Sequence, residues 1–276
     1  AIFSEIPIGT YTIYEDEKTV PTAYLVADPQ NVTVTYAETK EVPIENKEKT
    51  GSITVHKTTE GQKNIEGIKF YLRGTSDSGR AIDIPATTDK DGIAKFDGVP
   101  IGTYMVIEDE ETVPYGYLVA DEKEVKVEYA QTIDETILNN EQTGTVKVHK
   151  KTADMTNVEG IRFILSGISD TGREIRIEAT TDKDGLAKFE GVPVGTYTIT
   201  EDGSTVPYGY LVADSKQVTV AYAQTVDTDM VNEKAPDTPN TGVTDNDSDG
   251  SKALCSVAII LAGAAIVMFS RKRKER

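Results

Sequence analysis

The chain repeats itself every 93 residues, and each copy is a series of short alternating runs broken by turn residues. A period of that length is too long for a solenoid unit and matches a string of small domains. Within one copy, Ile53 to Lys57 and Ile68 to Leu72 read as strands, as do Gly102 to Glu108, Glu124 to Glu128 and Thr132 to Asn139. Asp91-Gly92 and Asp184-Gly185 read as hairpin turns feeding Ala94 to Phe96 and Ala187 to Phe189. Strands this short at this spacing predict an all-β chain of tandem β-sandwiches. Thr, Val, Ile and Tyr are frequent and Trp is absent, which favours the same class.

The period divides the chain. Residues 1–50 are the C-terminal half of a repeat, and residues 51–143 and 144–235 are two complete repeats. Each complete repeat opens on a glycine, Gly51 or Gly144, and is followed or preceded by a polar link, NKEKTG or NNEQTG. The opening AIFSEIPIGTY aligns with AKFDGVPIGTY at Ala94 to Tyr104, so the sequence starts inside a domain. We expect the C-terminal piece of a longer protein, with the half repeat poorly ordered for want of its first strands.

Three polar positions interrupt the apolar stripes and recur with the repeat. Lys57 returns as Lys150, Glu15 as Glu108 and Glu201, and Asn46 as Asn139 and Asn232. Every second side chain of a strand points to one face. Lys57 shares its face with Ile53 and Val55, Glu108 with Tyr104 and Val106, and Asn139 with Ile137. The same parity holds for Lys150, Glu201 and Asn232, so all six point into a core. Buried charges need partners. The plainer expectation is a Lys–Glu ion pair capped by Asn. The sharper one uses reactivity: an apolar setting lowers a lysine pKa and raises a glutamate pKa. A neutral amine can then attack the Asn carboxamide carbon while the Glu polarises the carbonyl and passes a proton to departing ammonia. Folding supplies the proximity. The product would be a Lys–Asn isopeptide bond from first strand to last, a tie that lets tension bypass the sandwich.

Tyr104-Met-Val-Ile-Glu108 with Pro114-Tyr-Gly-Tyr117, and Tyr197-Thr-Ile-Thr-Glu201 with Pro207-Tyr-Gly-Tyr210, resemble the E-box of the Cna-B or SpaA-like repeats of Gram-positive surface proteins. The V-x-K strand, the T-x-x-D-G-x-A-x-F stretch, G-V-P-x-G-T-Y and the terminal Asn match as well. The resemblance covers about residues 1–235 and implies a prealbumin-like, reverse-immunoglobulin sandwich. It also implies crosslinks Lys57–Asn139 and Lys150–Asn232, assisted by Glu108 and Glu201. The half repeat departs from the pattern: Pro21-Thr-Ala-Tyr24 lacks the E-box glycine, and Asn46 and Glu15 have no lysine partner in this sequence.

Residues 236–252 form a polar linker, residues 253–269 an uncharged apolar run, and residues 271–276 a basic tail. Seventeen apolar residues span roughly 25 Å as a helix, short but sufficient for a C-terminal transmembrane anchor whose basic tail stays cytoplasmic. Thr238, Pro239, Asn240, Thr241 and Gly242, followed by spacer, apolar run (with its tail, residues 253–276) and cations, resemble a sortase cell-wall sorting signal with Thr238 in place of the usual Leu. The resemblance implies cleavage between Thr241 and Gly242 and joining of Thr241 to peptidoglycan.

The remaining features exclude other classes. The net charge of −17 argues against nucleic acid or an anionic membrane surface as partner. The lone cysteine, Cys255, lies in the apolar run, so no disulfide staples these domains. Asp245, Asp247 and Asp249 imitate the start of a calcium loop that lacks its closing Glu. His56 and His149 fall on the outward parity, and no Cys/His cluster accompanies them. No metal or cofactor is expected, and no turnover enzyme. The sequence therefore reads as the stalk of a sortase-anchored surface protein or adhesin. Alternatives are a pilus subunit, which would need a reactive lysine in a motif such as Y-P-K that is absent here, or a module that binds a host matrix or surface ligand directly.

Overall fold

A computed structural model describes residues 1–61, 65–154 and 159–236 of the chain. The sorting motif at 238–242 and the apolar run at 253–269 lie outside the described residues. Among the described residues, no helix is long and apolar enough to cross a membrane.

The half repeat contributes β1 (Gly9–Ile13) and β2 (Gln30–Val34), paired antiparallel. The middle repeat contains β3 (Thr50–Thr59), β4 (Lys69–Ser76), β5 (Ala81–Thr87), β6 (Ile93–Pro100), β7 (Gly102–Glu108), β8 (Lys123–Val127) and β9 (Thr132–Asn139). The last repeat follows the same plan with β10 (Thr143–Thr152), β11 (Arg162–Ser169), β12 (Glu174–Thr180) and β13 (Leu186–Pro193). It closes with β14 (Gly195–Glu201), β15 (Lys216–Val220) and β16 (Thr225–Asn232).

Each complete repeat is two facing sheets. In the middle repeat the orders are β6-β3-β9 and β5-β4-β7-β8, and in the last β13-β10-β16 and β12-β11-β14-β15. Strict alternation explains the layering. Along β3 every second residue from Gly51 to Thr59 is buried, and along β7 every second residue from Gly102 to Glu108. Ile53, Phe96 and Ile137 from one sheet meet Phe70, Leu72 and Val106 from the other in a single core. Val146, Phe189 and Met230 meet Phe163, Leu165 and Ile199 likewise.

The first and last strands of each repeat lie side by side and run parallel, Lys57 opposite Ile137 and Thr59 opposite Asn139. Parallel neighbours cannot be joined by a tight turn. Here the rest of the sandwich is the connection, which lays the first and last strands side by side and leaves the start of β3 and the end of β9 at opposite ends of the pair. Near the start of β3 the register with β6 shifts between Gly51 and Ile53. At Gly51 a β-carbon would lie 2.5 Å from the Glu128 carbonyl oxygen and 2.7 Å from that of Gln131, so only glycine fits.

One expectation changes. The Asp91-Gly92 turn forms, with Asp89 Oδ1 accepting from the amides of Asp91 and Ile93 and Gly92 at φ 74°. It is not a hairpin: β5 and β6 belong to different sheets, so the turn carries the chain across the sandwich. Turn chemistry dictates the reversal but not the sheet that the next strand joins. The half repeat holds a two-stranded sheet and a Tyr11 hydroxyl to Pro7 carbonyl bond, 2.9 Å, of the kind that its full counterparts make. What it lacks is a cover. Tyr11 is 37% exposed where Tyr104 and Tyr197 are 1% exposed, and Ile2, Phe3, Ile8 and Tyr36 border an open groove of about 930 Å³.

Candidate functional site: a buried lysine, glutamate and asparagine in each sandwich

Lys57 is the fourth inward residue of β3, Glu108 the last of β7, and Asn139 the last of β9. The two sheets thus deliver one residue from one side and two from the other to the same end of the core. All three are buried, Lys57 and Asn139 to 1% exposure. Lys57 Nζ donates to the Thr58 carbonyl at 2.9 Å and the Ile137 carbonyl at 3.1 Å, and stands 3.4 Å from Glu108 Oε1. Asn139 Nδ2 donates to Glu108 Oε2 at 2.7 Å and to the Leu118 carbonyl. The Ala120 amide donates to the same Oε2 at 2.8 Å. Glu108 Oε1 and Asn139 Oδ1 are buried without a hydrogen-bond partner.

The last repeat reproduces this set. Lys150 Nζ is 3.3 Å from Glu201 Oε1 and donates to the carbonyls of Lys151 and Met230. Asn232 Nδ2 donates to Glu201 Oε2 at 2.6 Å and to the Leu211 carbonyl at 2.8 Å, and the Ala213 amide donates to Oε2 at 2.7 Å. In the half repeat, Asn46 Nδ2 reaches Glu15 Oε2 at 2.5 Å and the Leu25 carbonyl at 2.9 Å, which is the amide–carboxyl part of the set.

The segment after the glutamate explains how the site is held. Asp109 caps a 3-10 turn at Glu110–Thr112. The chain then passes Pro114 and pairs with the residues just after β9: Tyr117 bridges Glu141, and the Leu118 amide donates to the Asn140 carbonyl at 2.9 Å. That pairing presents the Leu118 carbonyl and the Ala120 amide to Asn139 and Glu108. Sequence parity points to the three side chains but not to these backbone groups, whose only signal is the spacing of the E-box.

Burial pushes the Lys57 and Lys150 amines below the ordinary value of 10.5, against the opposing attraction of Glu108 and Glu201. The Leu118 carbonyl fixes the orientation of the Asn139 amide, because an oxygen in the Nδ2 position would face two acceptors. The amide nitrogen therefore rests on the carboxyl group. A carboxyl so placed can hand a proton to that nitrogen if it leaves.

Other candidates stay apart from this site. His56 pairs with Asp134 at 3.1 Å and His149 with Asp227 at 2.8 Å, all on exposed strand surfaces. Among the described residues no group of His, Cys, Asp and Glu is arranged to hold a metal ion.

A sandwich whose first and last strands are parallel neighbours, with a Lys–Glu–Asn set inside, defines a prealbumin-like domain class. Residues 51–142 and 144–234 each match the SpaA prealbumin-like fold domain, and the chain belongs to that family. No curated protein matches the chain. Among solved structures, it is similar in fold to the Bacillus anthracis TIE protein, at 21% identity and TM-score 0.56. That alignment covers 82% of this chain and 42% of the other, so this chain spans less than half its length. The minor pilin GBS52 of Streptococcus agalactiae aligns at 18% identity and TM-score 0.33 over 70% of this chain and 99% of its own. A streptococcal ancillary pilin aligns at 22% identity and TM-score 0.34 over 84% and 76%.

Proposed function

We propose that this chain is the stalk of a Gram-positive surface protein, stiffened by Lys57–Asn139 and Lys150–Asn232 isopeptide bonds and anchored by sortase through Thr238 to Gly242. The observation that carries the reading is the repeated seating of an asparagine amide nitrogen on a buried carboxyl group that also faces a buried lysine. The amine attacks the Asn carboxamide carbon in its neutral form, which burial favours. Glu108 or Glu201 moves the amine proton to Nδ2, the carbon–nitrogen bond of the carboxamide breaks, and ammonia leaves. Each bond forms once within its own chain, so the protein is a scaffold rather than a turnover enzyme. Sortase cleaves after Thr241 and joins it to peptidoglycan, which places the repeats on the cell surface and leaves a host matrix or surface ligand as the partner of the wider protein.

The intact mass of residues 51–235 tests the crosslinks. A deficit of two ammonia molecules is expected, falling to one with Glu108→Ala or Glu201→Ala and to none with both. Full mass in the unsubstituted protein would reduce the two sets to buried polar networks. Sortase attachment is tested separately, by the carboxyl-terminal residue of the chain released from cell walls. Thr241 is expected, and any other end rejects the sorting motif.

A further inference from the structure

The glutamate two residues beyond Asn46 and beyond Asn139 turns its side chain to the next repeat. Glu141 is 3% exposed, and both of its carboxylate oxygens reach into the following repeat. Thr171 Oγ1 donates to Oε1 and Arg173 Nη2 to Oε2. Both donors sit on the turn between β11 and β12, Ser169-Asp-Thr-Gly-Arg173. One period earlier the arrangement recurs: Ser78 Oγ donates to Glu48 Oε1, and Arg80 Nη2 lies 3.1 Å from Glu48 Oε2, on the turn Ser76-Asp-Ser-Gly-Arg80.

The backbone around this contact is joined on both sides. Three residues separate β9 from β10. Gln142 gives its amide to the Gly116 carbonyl at 2.7 Å in the preceding repeat, and its carbonyl accepts from Val194 at 2.9 Å in the following one. The surfaces are also fitted. A β-carbon on Gly116 would lie 2.8 Å from Thr171 Cγ2, and one on Gly61 would lie 3.1 Å from Arg173 Cδ. Arg173 is flanked by Glu60 of the preceding repeat at 3.9 Å.

The last repeat is built differently at the corresponding end. Lys234 stands where the earlier links have Glu48 and Glu141, and Ala153 and Asp154 stand where the middle repeat has Glu60 and Gly61. Lys234 Nζ pairs with Asp154 Oδ2 of its own repeat at 3.2 Å, and the Tyr210 hydroxyl donates to the same aspartate. That end presents a cation engaged with its own domain in place of a carboxylate.

We propose that Glu48 and Glu141 form a head-to-tail docking site between repeats: each link carboxylate recognises the Ser/Thr-Gly-Arg turn of the repeat that follows and locks the joint in one orientation. The partner is a further domain of the same kind carrying that turn, and the distal end of residues 144–235 lacks the docking carboxylate. A carboxylate whose two oxygens are taken separately by a hydroxyl and a guanidinium nitrogen is held by charge-assisted, directional contacts. Without such a lock, motion between domains joined by a short polar link is the default. This inference stands apart from the crosslinks and holds whether or not they form.

The test is the distance distribution between spin labels in the full chain carrying Cys255→Ser, Asp97→Cys and Glu190→Cys, read by double electron–electron resonance in detergent. One narrow distribution is expected. Glu141→Ala and Arg173→Ala should each broaden it about twofold or more, while amide-exchange protection at Ile53 and Val146 stays intact. The Arg173 side chain is 38% exposed, so its truncation leaves the cores closed and decides the matter if the Glu141 variant fails to fold. A distribution already broad in the parent, or unchanged in width by Arg173→Ala, overturns the proposal.

Discussion

Asn232 Nδ2 lies 2.6 Å from Glu201 Oε2, although 31 residues separate them and they belong to opposite sheets. The contact allows the two readings of the site to be separated by stability alone. Truncating one member of a buried polar set costs about 1–3 kcal/mol. Losing a covalent tie that closes about 80 residues costs on the order of 4–5 kcal/mol if it acts as a disulfide does. We expect Asn232→Ala to lower the urea-unfolding free energy of the last repeat by the larger amount. A loss of only about 1–2 kcal/mol would count against a covalent tie.

The lysines set a pH dependence once the crosslink is blocked. In a chain carrying Asn139→Ala and Asn232→Ala, Lys57 and Lys150 stay as amines. Burial holds their pKa in the folded state below 10.5. The unfolded chain therefore binds more protons in the window between the lowered value and 10.5, and stability rises with pH across that window. Urea midpoints should climb on the approach to 10.5 from below and lose that slope when Lys57→Met and Lys150→Met are added. Equal slopes with and without the lysines would reject the assignment.

Tyr104 and Tyr197 have the opposite sign. Burial, aided by the charges of Asp77 and of Glu141 and Asp170, pushes their hydroxyls up to about 12. The raised value favours the folded state below the ordinary tyrosine range, and this contribution is lost as pH climbs from about 10 through about 12. Each hydroxyl also donates to a proline carbonyl at 2.8 Å, Pro100 or Pro193. Tyr→Phe at either site should cost about 1 kcal/mol near neutrality and flatten the alkaline loss. In a spectroscopic titration these two of the 13 tyrosines should ionise last.

Backbone geometry separates two small residues that sit near each other. Gly51 and Gly144 have carbonyl oxygens within 2.8 Å of any added β-carbon, so Gly→Ala should destabilise by about 1–3 kcal/mol. Ala130 and Ala223, in the turns that supply some of those oxygens or adjoin them, hold φ at 58° and 55°. Ala→Gly there should stabilise by roughly 0.5 kcal/mol, because relief of the left-handed strain outweighs the added freedom of the unfolded chain. Thermal scans of the four variants check both signs.

The inward parity of Lys57, Glu108 and Asn139 was legible because the apolar residues around them alternate strictly. Strand β5 was not. Its sequence, AIDIPAT, contains Pro85, which argues against a strand unless it lies at a sheet edge, and an edge is where β5 runs. The switch of sheet after β5 was equally hidden, since Asp-Gly reports a reversal and not a destination. The period shows Glu48 returning as Glu141 and then failing at Lys234. Its meaning depends on a turn some 30 residues further on in the next domain, a relation that no local pattern encodes.

The parallel pairing of β3 with β9 decides how a repeat meets force. Pulling the start of β3 away from the end of β9 slides the strands along one another, and the eight paired positions from Ser52–Thr132 to Thr59–Asn139 resist together. Antiparallel ends at one edge would instead peel open one bond at a time. The domain is loaded in shear, its strong direction, even before any covalent tie is counted.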